Sequence, residues 1–284
     1  MRVRNRLGAL VLGANLGPTS VASKNDFERF KAMLNVDLSK ESAQRVPTPT
    51  VGMVVPAMNE ARNLPYILNR IPHFIDEVIL VDGASTDDTV EVAQMIRPDI
   101  KIVDQCRKGK GAALKTGFAA CKSDIIIMID ADGSMDPVEI SAFVGALHAG
   151  ADFVKGSRFM QGGGTDDMEW YRRLGNWGFT TIVNLRFGSR FSDLCYGYIG
   201  FWRETLDQMA LEKDDGFEIE TSLNIQALTS QLRVHEVPSI EAPRIHGVSN
   251  LRTFPDGWRV LKTILRLGLK RTTKPCEPKP IYHR

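Results

Sequence analysis

The run Ile125-Ile126-Ile127-Met128-Ile129-Asp130-Ala131-Asp132-Gly133-Ser134 decides how the rest of the chain is read. Its apolar part is too short for an ordinary helix and is rich in β-branched isoleucine, so it predicts a buried parallel strand. The strand delivers two carboxylates, separated by one residue, at its carboxyl end. Open α/β sheets bind ligands at that edge. Two acids so close repel each other unless a cation lies between them, and hard divalent ions such as Mg²⁺ or Mn²⁺ prefer such oxygen ligands. A strand-ending turn with two solvated Asp residues has the same local sequence. The flanking segments therefore have to separate the two readings.

Working outward, strand and helix patterns alternate from Thr50 onward. Strands are expected at Val51 to Val55, Glu77 to Val81, Ile100 to Val103 and Ala151 to Lys155. Helices are expected at Glu60 to Arg70, from the Ser85-Thr86 region to about Ile96, from Gly111 to Cys121, and at Pro137 to Ala149. Such succession implies a mostly parallel sheet with helices on both faces and right-handed crossovers. After Gly156 the segments lengthen and become richer in aromatics, with helices expected at Tyr171 to Phe187 and Glu218 to Ser230. No Pro/Gly/Ser linker divides the chain. A single α/β domain over 49–271 is expected, with one half at 49–157 and another at 158–271. Residues 1–48 read as an extension with one helix from Asn25 to Leu34, and 272–284 as a disordered tail.

Composition excludes several classes. The balance of 36 basic against 34 acidic residues gives no case for general nucleic-acid binding. Cys106, Cys121, Cys195 and Cys276 are too widely spaced for a zinc site or a redox pair and read as reduced cytosolic thiols. No run approaches the roughly 18 apolar residues that span a bilayer. The N-terminal Arg2, Arg4 and Arg6 precede an apolar run that is short and broken by glycine, which argues against a signal peptide. A Gly-x-Gly-x-x-Gly after the first strand, a P-loop and a Gly-x-Ser-x-Gly elbow are all absent.

What is present forms an ordered set: Pro56-Ala57-Met58-Asn59-Glu60, Val81-Asp82-Gly83-Ala84-Ser85-Thr86-Asp87-Asp88-Thr89, Lys108-Gly109-Lys110-Gly111, Asp130-Ala131-Asp132 and Gly156-Ser157-Arg158. From about residue 50 to about 265 the chain resembles the family 2 glycosyltransferases, and among them the dolichyl- or polyprenyl-phosphate sugar synthases. The resemblance implies a GT-A (Rossmann-like) fold, a nucleotide-diphospho-sugar donor, and Mg²⁺ or Mn²⁺. It would place Pro56, Ala57 and Glu60 beside the nucleoside, Asp82 on the base and Lys110 near the donor. Asp130 and Asp132 would be the D-x-D-like metal ligands, with Ser134 as a third polar ligand. Arg158 would approach the donor phosphates or the acceptor. One departure stands out: Gly83 and Ala84 replace the second acid and the glycine of the Asp-Asp-Gly-Ser found in many synthases.

The acceptor half carries weaker correspondences. Asp193, in Asp193-Leu194-Cys195-Tyr196-Gly197-Tyr198, and Glu220, in Phe217-Glu218-Ile219-Glu220, are acceptor-side candidates. A hydroxyl acceptor needs one of them as general base, whereas a phosphate acceptor is already ionised. Glu236-Val237-Pro238 and the segment from Arg244 to Leu251 resemble the family's C-terminal loop. There Arg244 and Ser249 would close over diphosphate, with Asn250 standing where Lys is usual. The Gly162-Gly163-Gly164 run permits close backbone approach or a closing lid. Near the C-terminus, Val260, Leu261, Ile264, Leu265 and Leu267 share a broad face, with Lys262, Arg266, Lys270 and Arg271 beside it. That pattern suits either a helix lying on an anionic membrane or one packed on the domain.

The expectation is a metal-dependent, inverting hexosyltransferase that uses a UDP- or GDP-sugar at the cytoplasmic membrane face, with polyprenyl phosphate as acceptor. Transfer to a soluble small molecule is the alternative. A sugar-nucleotide nucleotidyltransferase and a non-catalytic sugar-nucleotide binder are the rivals from other classes.

Overall fold

Alternating burial builds the centre of the molecule. In the computed structural model, which describes residues 48–269 apart from 167, 212, 249 and 250, the first strands are β1 (Val51–Ala57), β2 (Glu77–Asp82), β3 (Lys101–Asp104) and β4 (Ile125–Met128). Val51, Met53, Val55 and Ala57 of β1 face one core, together with Val78 and Leu80 of β2. Val54, Ile79 and Val81 face the other. The first core is covered by α1 (Leu64–Leu68), α2 (Thr89–Ile96) and α4 (Ile140–His148). The second is covered by α3 (Lys110–Ala120) and α6 (Ile219–Thr229). Because β4 is buried on both faces, its run is apolar throughout rather than alternating.

The remaining strands are β5 (Phe153–Ser157), β6 (Gly164–Thr165), β7 (Ile199–Trp202), β8 (Val234–Pro238) and β9 (Ile240–Glu241). Seven strands form one sheet in the order β3-β2-β1-β4-β7-β5-β8. All neighbours are parallel except β7, which runs antiparallel between β4 and β5. β1 lies between β2 and β4, so the connections turn opposite ways there and leave a crevice beyond the carboxyl ends of β1 and β4. From Pro49 the described residues form one compact unit.

Several expectations are corrected. The helix expected at Glu60 to Arg70 shortens to α1 at Leu64–Leu68, where Pro65 sits in the first turn and lacks the N–H that a later position needs. Glu236-Val237-Pro238 is not loop but part of β8, in register with Lys155, Gly156 and Ser157. The glycine run forms no free lid: an added Cβ on Gly163 would strike the carbonyl oxygen of Ser157, and Gly164 pairs with Ile240 across β6 and β9. The last described helix, α7 (Thr253–Gly268), turns Val260, Ile264 and Leu267 inward. They pack against Val183 of α5 (Trp170–Phe187) and Ile225 of α6. Much of the broad apolar face is thus consumed by packing. The expected extension, the helix Asn25 to Leu34, Ser249, Asn250, Lys270, Arg271 and the tail lie outside the described residues.

Candidate active site

The loops after β1 and β2 are stitched together beside the crevice. The Gly83 N–H donates to the Ala57 carbonyl at 2.8 Å, and the Thr86 N–H to Asn59 Oδ1 at 2.7 Å. The Asn59 N–H donates to Ser85 Oγ at 2.9 Å, and the Glu60 N–H to Thr89 Oγ1 at 2.9 Å. Asn59 and Ala84 adopt φ of 60° and 61°, left-handed conformations that non-glycine residues rarely take. Asp82 closes β2 and accepts the Ser85 N–H at 3.1 Å. Pro56 and the buried Ala57 end β1 on the same edge.

Across the crevice, the acidic pair is held by two basic side chains. Lys110, the first residue of α3, donates to both oxygens of Asp130 at 2.6 and 2.8 Å and to Glu220 Oε1 at 2.5 Å. Burial works against the Lys110 charge, but Asp130 and Glu220 outweigh it and hold its pKa well above the usual lysine value. Glu220 itself is pushed up by burial and by Asp130, with Lys110 pulling the other way. Arg244 bridges Glu60 at 2.9 Å and Asp132 at 3.1 Å. Burial lowers the Arg244 pKa, but Asp132 and Glu60 raise it further, so the guanidinium stays charged. Ser134 donates to Asp132 Oδ1 from both its N–H, at 3.0 Å, and its hydroxyl, at 2.7 Å.

This cluster suits a divalent cation in company with phosphate. With all groups ionised, four carboxylates face two cations, leaving two negative charges uncompensated. Among the described residues no three His, Cys, Asp or Glu side chains gather as an all-protein cage. Mg²⁺-type sites use one or two carboxylates completed by substrate phosphates, so the donor set fits.

Beside this cluster, Arg158 is held by carboxylates of its own. Its Nε and Nη2 clasp Asp193 at 2.7 and 3.0 Å, and its Nη1 donates to both oxygens of Glu241 at 3.1 and 3.0 Å. The guanidinium sits 4.6 Å from the Tyr196 ring centroid and is almost fully buried. Asp193 has no solvent exposure. Burial pushes its carboxyl up, but Arg158 and Lys155 more than compensate and hold it below the usual range. A depressed carboxylate with both oxygens occupied is poorly placed to take a proton. His246 stacks obliquely near Tyr66, and its carbonyl accepts from Asn63, as suits a structural loop histidine.

The structure therefore brings together Glu60, Lys110, Asp130, Asp132, Ser134, Glu220 and Arg244. Arg158 and Asp193 form a buried clasp beside this group, close enough for the Arg158 charge to act on Glu220. Two members of that clasp escaped the sequence reading. Glu241 became visible only through β9, and Lys155, wholly buried on β5, donates to the Gly156 carbonyl at 3.0 Å. The available signal was a lysine directly after Phe153 and Val154 in the expected strand.

Comparison with known proteins places the chain in a family and its fold among solved structures. The profile for Glycosyl transferase family 2 matches residues 53–209. A polyprenol monophosphomannose synthase of Mycolicibacterium smegmatis is 31% identical, over 72% of this chain and 82% of that protein. A dolichol-phosphate mannosyltransferase of Pyrococcus furiosus is 28% identical, over 71% of this chain and 59% of that protein. The fold matches glucosyl-3-phosphoglycerate synthase from Mycobacterium tuberculosis, solved with Mn²⁺, UDP-glucose and glycerol 3-phosphate. The TM-score is 0.63 at 22% identity, covering 89% of this chain and 86% of that one. On the profile and the first of these relatives together, the chain belongs to glycosyltransferase family 2, enzymes of sugar transfer built on the GT-A fold.

Proposed function

We propose that the enzyme moves a hexose from a UDP- or GDP-linked donor to polyprenyl phosphate, with inversion at the anomeric carbon, at the inner face of the cell membrane. The observation carrying the donor half is the lattice of Lys110, Asp130, Glu220, Arg244, Asp132 and Glu60 at the carboxyl edge of β1 and β4. Similarity to the mycobacterial synthase supports the lipid acceptor. Pro56 and Ala57 border the nucleoside, and Asp82 accepts from the base. Asp130 and Asp132, with Ser134 beside them, would hold Mg²⁺ or Mn²⁺, which supplies Lewis-acid stabilisation of the departing diphosphate. Arg244 transfers its donors from Asp132 to diphosphate oxygens, with Ser249 on the same segment. Lys110 stays charged throughout and keeps a cation beside the pyrophosphate. Arg158 and Asp193 act by positioning, since each neutralises the other.

With an ionised phosphate as nucleophile, Glu220 need not take a proton and serves to anchor Lys110. The raised Glu220 pKa favours a second reading, transfer to the hydroxyl of a soluble, glycerate-type acceptor, where Glu220 is the base. The two separate in one assay. Labelled UDP-glucose and GDP-mannose are incubated with polyprenyl phosphate or a soluble acceptor, using the native chain and Glu220→Gln. The lipid reading expects label in the organic phase and a Glu220→Gln rate within about tenfold of native, against the roughly 10²–10⁴-fold loss that removing a general base causes. Label that stays aqueous with every donor overturns it.

A further inference from the structure

Two helix starts meet one short segment of chain. α3 begins at Lys110 behind Gly109, α6 begins at Ile219 behind Glu218, and neither cap residue supplies a side-chain hydrogen bond. The first N–H groups of a helix need acceptors from outside it. Here backbone carbonyls of residues 214–216 serve both helices. The Asp215 carbonyl accepts the Ala112 N–H of α3 at 3.1 Å, and the Gly216 carbonyl accepts the Ile219 N–H of α6 at 3.3 Å. Lys110 lies two residues before the first of these groups and Glu220 one residue after the second.

The approach leaves no room for side chains on α3. A Cβ added to Gly109 would stand 2.1 Å from the Asp215 carbonyl oxygen, and one added to Gly111 would stand 2.3 Å from that of Asp214. The two glycines that flank Lys110 therefore serve this contact. The segment is anchored in turn by its carboxylates. Asp214 is 1% exposed and accepts from Ser222 Oγ of α6 at 2.7 Å and from Arg266 Nη2 of α7 at 2.5 Å. Asp215 pairs with Lys115 of α3 at 2.6 Å and with Arg107 at 3.1 Å. A carboxylate buried as fully as Asp214 depends on its partners, so Arg266 helps to fix where the segment lies.

We infer that Asp214, held by Arg266, is a positioning residue that sets Lys110 against Asp130 and Glu220. Its carboxylate is taken up by α6 and α7, and it acts through the backbone it carries, which bears on the first turn of α3. A shift of that turn moves the Lys110 ammonium, and about 1 Å of misplacement is enough to weaken a site about 10²-fold. The inference rests on the reading of Lys110 as the cation beside the diphosphate. The tie between the segment and α3 is measurable without any donor.

The experiment compares the native chain with Asp214→Asn, Lys110→Met and the double variant. Asp152→Asn is the control, since it weakens a clasp with Arg233 at the amino end of β5. Amide hydrogen exchange at Ala112 is expected to be at least about tenfold faster in Asp214→Asn and unchanged in the control. Calorimetry with UDP and with GDP, in the presence of Mn²⁺, should show several-fold weaker binding by Asp214→Asn. Added to Lys110→Met, the same change should cost nothing further, the non-additivity of groups that act through one another. Equal losses in both backgrounds overturn the inference, as does native exchange at Ala112 in Asp214→Asn. Should Asp214→Asn fail to fold, Gly111→Ala tests the same contact from the α3 side, because alanine favours the helix and only its methyl group meets the segment. Native binding of both nucleotides by Gly111→Ala then overturns the inference. Unchanged nucleotide binding by Lys110→Met removes the donor role of Lys110 alone, and exchange at Ala112 decides whether the segment sets α3.

Discussion

Arg244 occupies the carboxylate a metal ion would take, and offers the donors a diphosphate would take. Its guanidinium spans Glu60 and Asp132, a carboxylate already engaged by Ser134. Removing the cation frees Asp132 yet deletes a donor to diphosphate, so the two ligands should respond in opposite directions. Arg244→Ala is expected to bind Mn²⁺ alone several-fold more tightly, up to about tenfold or roughly 1.4 kcal/mol, and to bind UDP or GDP more weakly. Electron paramagnetic resonance of free Mn²⁺, without and with nucleotide, reads both. Weaker binding of Mn²⁺ alone would mean that Arg244 shapes the site rather than occupying it. The identities of Asp130, Asp132 and Lys110 were legible from motif. That Lys110 joins Asp130 to Glu220, 110 residues further along, was not, because the pair exists only once α3 and α6 cover the same face of the sheet.

At the level of elements, the loop after β2 shows how local sequence and local strain interact. Ala84 takes φ of 61°, which costs a non-glycine residue about 1–2 kcal/mol, whereas Gly83 beside it is crowded by the Ala57 carbonyl and Met58 Cβ, each 3.0 Å from an added Cβ. The permissive residue thus sits where space is short, and the strained one where glycine would be relaxed. Ala84→Gly is expected to stabilise the fold by about 0.5–1 kcal/mol after the added chain entropy of glycine is counted, read by urea unfolding. A loss of stability would show that the Ala84 methyl group makes a contact worth more than the strain. Periodicity found β1 to β5 and most helices, since burial on one or two faces writes itself into consecutive residues. It missed β7, which enters the sheet antiparallel between β4 and β5, and it missed β6, β8 and β9, short or mixed in burial, whose pairing comes from distant strands.

For the whole molecule, the clasp of Asp193, Arg158 and Glu241 ties the end of β5, the segment before β7 and the strand after β8 into one body. Asp193→Asn leaves the buried guanidinium with one partner, and breaking such a pair costs about 3–5 kcal/mol. The folded Asp193 pKa lies below its unfolded value. Its contribution is therefore fully present above about pH 4, the ordinary aspartate value, and disappears as the pH falls through the lower folded value. Urea unfolding should show a large gap between native and variant at neutral pH that closes in acid. A gap independent of pH would assign the loss to packing rather than charge.

Sequence alone determined the first five strands and the place of the acidic pair at the carboxyl end of β4, because strand burial, turn chemistry and short motifs are properties of neighbouring residues. Tertiary structure decided which charges meet: Arg244 with Glu60 across 184 residues, and Arg158 with Glu241 across 83. It also decided which face of α7 is buried and which is left outside. An amphipathic pattern gives a helix two sides, and only the packed neighbours, here α5 and α6, select the one that leaves water.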